Sequence, residues 1–143
     1  MTRREMMKIA ATTALASTVA SAYDEKLIVN KEKMTPKDPK NMTKAELKHT
    51  PEITLGSKDA AGYTLVEVSV GQGGIIHPST DNHWIYEIIL FADGKQVDSV
   101  ALEPTVSRGY LGTRVKLDGV KEVSAIAKCN LHGDWTSTKA LNV

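Results

Sequence analysis

Residues 64–70 read Thr-Leu-Val-Glu-Val-Ser-Val, with apolar and polar side chains alternating at the period of two expected of a half-buried strand. Further β-rich runs follow at 84–92, 96–102, 109–117, 122–129 and 136–143. Asp93-Gly94 and Asp118-Gly119 each close such a run. Asp-Gly is a strong hairpin signal because a tight hairpin turn needs positive φ at its centre. Six or seven short strands with these turns predict an all-β fold, an immunoglobulin-like antiparallel β-sandwich. Within 122–129, alternate positions 123, 125, 127 and 129 share one face, so Cys129 ends a strand and His132 falls in the next turn, which Gly133 helps to make. Upstream, Thr43-Lys44-Ala45-Glu46-Leu47 predicts a short helix capped by Thr43. Thr50-Pro51 reads as extended, because proline restricts the residue before it.

The ends of the chain differ from this core. Residues 1–22 carry Arg3-Arg4, the mildly apolar run 9–20 and the small-residue triplet Ala20-Ser21-Ala22. This is the layout of an export signal, and its paired arginines resemble a twin-arginine address, implying a periplasmic destination. The run is too short and too rich in Ala and Thr to anchor in a bilayer. Residues 23–44 form a polar, lysine-rich lead-in expected to be exposed, and residues 45–143 form one domain. Removing 1–22 would leave 15 basic against 16 acidic side chains. Such a balance gives no reason to expect binding to nucleic acid or to a membrane surface.

One cysteine excludes an intrachain disulfide and leaves Cys129 as buried filler, reactive thiol or metal ligand. The four histidines change that picture. His49, His77, His83 and His132 all fall in spaced motifs with Cys129: Lys-His-x-Pro at 48–51, His-Pro-x-x-x-x-His at 77–83, and Cys-Asn-x-His-Gly-x-Trp at 129–135. Imidazole and thiolate suit transition metals. Five such donors are too many for a closed tetrahedral zinc site, and they would fill five positions of a larger shell and leave a sixth open. His77 lies in a loop with Gly71, Gly73 and Gly74, where functional residues collect at the rim of a sandwich.

Together these motifs resemble the superoxide reductase family, that of neelaredoxin and of the iron-binding domain of desulfoferrodoxin, over residues 45–143. The resemblance implies a mononuclear iron in loops at one end of the sandwich. It implies four equatorial histidines, His49, His77, His83 and His132, and an axial sulfur from Cys129. Lys48 matches the family lysine that draws in superoxide and helps deliver protons. The implied reaction is one-electron reduction of superoxide to hydrogen peroxide, with electrons from an external donor protein, in a homo-oligomer (dimer or tetramer). Members commonly carry Glu immediately before that lysine; here Leu47 stands there, and Glu46 and Glu52 lie at other positions. The cysteine-rich, rubredoxin-like module of two-iron members has no counterpart among these residues.

Two other functions compete. One is a non-catalytic iron-binding or redox-sensor module on the same scaffold, which the missing glutamate favours and Lys48 opposes. The other is a thiol enzyme pairing Cys129 with His132, which leaves three histidines unexplained.

Overall fold

The structure, a computed structural model, describes residues 23–141; the expected export signal at 1–22 lies outside the described residues. Among the described residues, eight strands and one α-helix follow in chain order: β1 Lys33–Met34, α1 Lys44–His49, β2 Pro51–Lys58, β3 Thr64–Val70, β4 Ile85–Ala92, β5 Lys95–Ala101, β6 Tyr110–Val115, β7 Glu122–Cys129 and β8 Gly133–Ala140. They build two sheets, one ordered β1-β8-β7-β4-β5 and the other β2-β3-β6. The result is the immunoglobulin-like β-sandwich expected. No helix among the described residues is long and apolar enough to cross a membrane.

Period-two patterning decides which side chains enter the space between the sheets. Val66, Val68 and Val70 from β3 face Ile88 and Leu90 from β4, and Val123, Ala125, Ala127 and Cys129 from β7 complete one core cluster. With a single phenylalanine in the chain, branched aliphatics fill this layer. At the start of β4 the register slips between Ile85 and Glu87, and Trp84, Ile85 and Tyr86 are all buried in succession. Such a local slip re-aims side chains where a plain strand would alternate them.

The strand ends put the functional loops together. Pro51 pairs with Val70, Ile85 with Cys129, and Cys129 with Gly133. The α1–β2 junction, the β3–β4 loop and the β7–β8 turn therefore meet at one end of the sandwich.

One turn forms as expected and three readings change. Asp93-Gly94 closes the β4–β5 hairpin, both residues having positive φ. Asp118-Gly119 is not a hairpin turn: it links β6 in one sheet to β7 in the other. Only Gly119 has positive φ there, and that geometry lacks the twist that a two-residue hairpin needs. The last strand starts at Gly133, earlier than position 136. β2 was not singled out by pattern; it begins on a proline, which an edge strand tolerates at its first residue.

The lead-in is largely exposed, as expected, but its attachment to the sandwich was not anticipated. It is not a loose segment but a strap laid along the sandwich. β1 pairs parallel with β8, Lys33 opposite Asp134 and Met34 opposite Trp135, the one parallel strand pairing among the described residues. The Asp134 N–H donates to Glu32 O at 2.7 Å, and the Tyr23 ring meets Trp84 edge-on at 5.0 Å. These attachments are largely backbone bonds, so a polar side-chain composition does not announce them.

Candidate metal centre

α1 is one and a half turns long and is held by its ends. Thr43 accepts from the Glu46 N–H, and Glu46 reaches back to accept from the Thr43 N–H, a capping box. The other Glu46 oxygen accepts from the Lys37 N–H of the strap at 2.7 Å, and those amides hold its carboxyl below the usual range. The helix runs two residues past Leu47, so Lys48 and His49 form its last turn and Thr50 takes the extended conformation before Pro51. His49 Nδ1 lies 2.7 Å from Ala45 O, a bond it can only donate. The proton is thereby assigned to Nδ1, and the lone pair sits on Nε2.

The β3–β4 loop makes a second approach. At Gly71 (φ 102°) a side chain would strike the Ile75 carbonyl, so only glycine permits this path. Gln72 fastens the loop to α1 on both sides of His49: its N–H donates to Leu47 O and its side-chain amide to Thr50 O, each at 2.9 Å. His77 Nδ1 donates to Pro78 O at 2.8 Å, again leaving Nε2 with the lone pair. His83 closes a four-residue turn on Thr80, with Asp81 and Asn82 at its tip.

The third approach is the β7–β8 turn. Cys129 is the last residue of β7 and fully buried in the core cluster, so its thiol comes from the interior, whereas His132 is exposed. The Leu131 and His132 amides donate to the sulfur. Gly133 (φ 95°) closes the turn against the strap; a Cβ there would stand 2.6 Å from Glu32 O. Trp135 stacks on His49 at 5.4 Å and donates its indole N–H to His132 O at 3.0 Å.

The rings form a closed circuit. His49–His77, His77–His83, His83–His132 and His132–His49 lie 4.9, 4.8, 4.9 and 4.7 Å apart between centroids, with planes crossed by 68–78°. Across the circuit, His49 and His83 are 6.2 Å apart between centroids, with their planes inclined by 29°. His49 Nε2 lies 3.1 Å from His132 Nδ1, which lies 3.6 Å from Cys129 Sγ. The donor atoms of His49, His83, Cys129 and His132 are all within 4.8 Å of one another. His77 stands outside that mutual set but beside His49 and His83.

The chemistry of this cluster fits a metal. His77 Nε2 and His83 Nε2 are buried with no hydrogen-bond partner. An unmet buried polar atom costs about 1–3 kcal/mol, and two at one point call for an explanation that a shared ion supplies. Burial disfavours the charged imidazolium: it pulls His49 from 6.5 to about 4, His77 to about 3, and His83 down as well. The neutral form is the ligating form. Burial pushes the Cys129 thiol up, opposed by the two backbone amides. A cation would reverse that balance by favouring thiolate. Four imidazoles and one thiolate suit a single iron ion.

Lys48 is half-buried, and its positive charge acts on His49, His77, His83 and Cys129. Neither nearby glutamate stands in for the one absent at Leu47: Glu46 is occupied by the capping box and the strap, and Glu52 is exposed on β2. Trp135 stacks on His49, and Trp84 turns its indole N–H to Leu102 O. Sequence reasoning missed Gln72 and the carbonyls of Ala45 and Pro78, which carry no motif of their own. Asn130 is fully buried.

Comparison with known proteins agrees with this geometry. The desulfoferrodoxin family profile matches residues 41–138. A desulfoferrodoxin from Clostridium acetobutylicum is 31% identical over 91 residues, 64% of this chain, and the match spans 62% of that relative's length. The one-iron superoxide reductase structure from Giardia intestinalis is 29% identical, with a TM-score of 0.57 over 66% of this chain and 98% of its own. The superoxide reductase (neelaredoxin) from Ignicoccus hospitalis is 28% identical, with a TM-score of 0.57 over 82% of this chain and 96% of its own. By the extent of the profile match and the motifs it spans, the chain belongs to the desulfoferrodoxin family.

Proposed function

We propose that this protein is a superoxide reductase, reducing superoxide by one electron to hydrogen peroxide at a mononuclear iron. The observation that carries the proposal is the ring of four imidazoles beside a buried thiol. His49, His77 and His83 would hold the iron through Nε2, His132 through Nδ1 and Cys129 through Sγ. Iron held by these residues would supply the electron. Four neutral imidazoles and one thiolate leave a divalent ion with one unit of positive charge, which attracts an anionic substrate. Hydrogen bonds from Nδ1 to Ala45 O and Pro78 O fix two of the rings and raise their basicity. The Leu131 and His132 amides steady the sulfur as thiolate. Lys48, a compact ammonium on a flexible stem, steers superoxide and hands on protons through water. Leu47 stands immediately before Lys48, so no carboxylate at that position would compete with substrate for the iron.

Electrons would come from an external donor protein, the protein would act as a homo-oligomer, and Arg3-Arg4 with the run behind them supports export to the periplasm.

Cys129→Ser is expected to abolish the sulfur-to-iron absorption band of the oxidised protein and sharply lower turnover; an unchanged band would remove the sulfur assignment. Lys48→Ala is expected to slow reaction with superoxide about tenfold and to flatten its dependence on ionic strength, with iron content intact. Loss of iron in that variant would mark the lysine as structural.

The lowered histidine values also give a pH dependence. Between pH 6.5 and about 4 the unfolded chain binds protons that folded His49 and His77 refuse, so stability rises with pH. The metal-free protein should therefore lose melting temperature steadily as pH falls from 7 towards 4. A flat profile by calorimetry would contradict the buried, neutral imidazoles.

A further inference from the structure

Asn130 lies between two of the proposed ligands and has no assigned task. It is completely buried, and its carboxamide uses both N–H groups and its oxygen. Oδ1 accepts from the Trp84 N–H at 2.9 Å, and Nδ2 donates to Asn82 O at 2.8 Å, so the two bonds bracket His83. The second Nδ2 proton goes to Leu27 O at 3.0 Å. The backbone of Asn130 repeats both links: its N–H donates to Trp84 O at 3.2 Å, and its carbonyl accepts from the Val29 N–H at 2.9 Å. One residue thus joins segments 46, 48 and 103 positions away in the chain. Leu27 and Val29 belong to the strap, which lies before the family match begins at residue 41.

We propose that Asn130 is a positioning residue: it fixes His83 against the Cys129–His132 turn and makes the strap around Leu27 and Val29 a structural part of the metal centre. The proposal rests on the metal-centre reading above. Its logic is geometric. His83 comes from one loop, and Cys129 and His132 from another. Apart from strand pairing below, the polar bridge between those loops runs through Asn130. The strap closes the far side of the same residue and continues through Glu32 to Asp134, beyond His132. A change in the strap should therefore reach the metal without touching a ligand. Partners one step behind metal ligands typically change affinity by about 10–100-fold when altered.

Two substitutions test this in the full chain loaded with iron. Asn130→Asp keeps the bond from the Trp84 N–H but loses both donations. Val29→Pro removes only the strap's donor to Asn130 O. Val29 is 69% exposed, and Ile28 before it is already extended, as the residue before proline must be, so the variant should fold. Val123→Ala, in the core at the far end of β7, is the control for destabilisation alone. Both test variants are expected to shift the sulfur-to-iron band and the electron paramagnetic resonance of the oxidised protein. Both should speed iron release to a chelator by about tenfold or more. The control should lower melting temperature without either change. Unaltered spectra and release in both test variants, or the same changes in Val123→Ala, would overturn the proposal. An effect in Asn130→Asp but none in Val29→Pro would overturn the strap's part in it. An unmodified chain that takes up iron without the sulfur band would sink the metal-centre reading itself, and this proposal with it.

Discussion

Holding one iron through the five proposed ligands would require donor atoms from three distant stretches of chain to turn their lone pairs towards one point. Everything else at this end of the sandwich can be traced to that requirement. An imidazole offers two nitrogens, and the wrong tautomer would present a proton where a lone pair is needed. Ala45 O and Pro78 O settle the matter for His49 and His77 by accepting from Nδ1. Burial completes the arrangement by disfavouring protonation of His49, His77 and His83. The protein therefore holds these rings neutral before any ion arrives, and two of their nitrogens stay buried without a partner.

A β-sandwich is well suited to meet this constraint, because strand pairing fixes where each loop begins. Ile85 opposite Cys129 and Cys129 opposite Gly133 set the β3–β4 loop beside the β7–β8 turn. Loops alone would not hold the donors steady enough, and polar side chains bind them to one another. Gln72 does so around His49 and Asn130 around His83. Cys129 approaches from the core and His132 lies at the surface, so the centre is closed beneath and open above. Lys48 adds a positive charge to this open centre, which an anionic substrate would meet on arrival.

Much of this was legible in the sequence, and the reasons for the misses are physical. Period-two runs located β3, β4, β5, β6 and β7, since alternating burial leaves its mark in side-chain polarity. Cys129 was correctly placed at a strand end by the same rule. Asp118-Gly119 misled because the dipeptide reports a tight turn but not which sheet receives the chain afterwards. The strap was missed because it attaches largely through backbone N–H and carbonyl groups, while its lysines point to water. The five candidate ligands were readable because cysteine and histidine are rare here and fall only in the motifs. Gln72, Ala45 and Pro78 were not, since supporting a ligand requires no particular residue type that a pattern could reveal.

The central claim is that the cluster turns superoxide into peroxide by a single electron. It is tested most directly by mixing the reduced, iron-loaded protein with superoxide and following iron oxidation, peroxide and oxygen together. The account predicts one peroxide formed for each iron oxidised, with no oxygen evolved. Peroxide accompanied by oxygen, or iron that stays reduced while superoxide decays at its spontaneous rate, would contradict it.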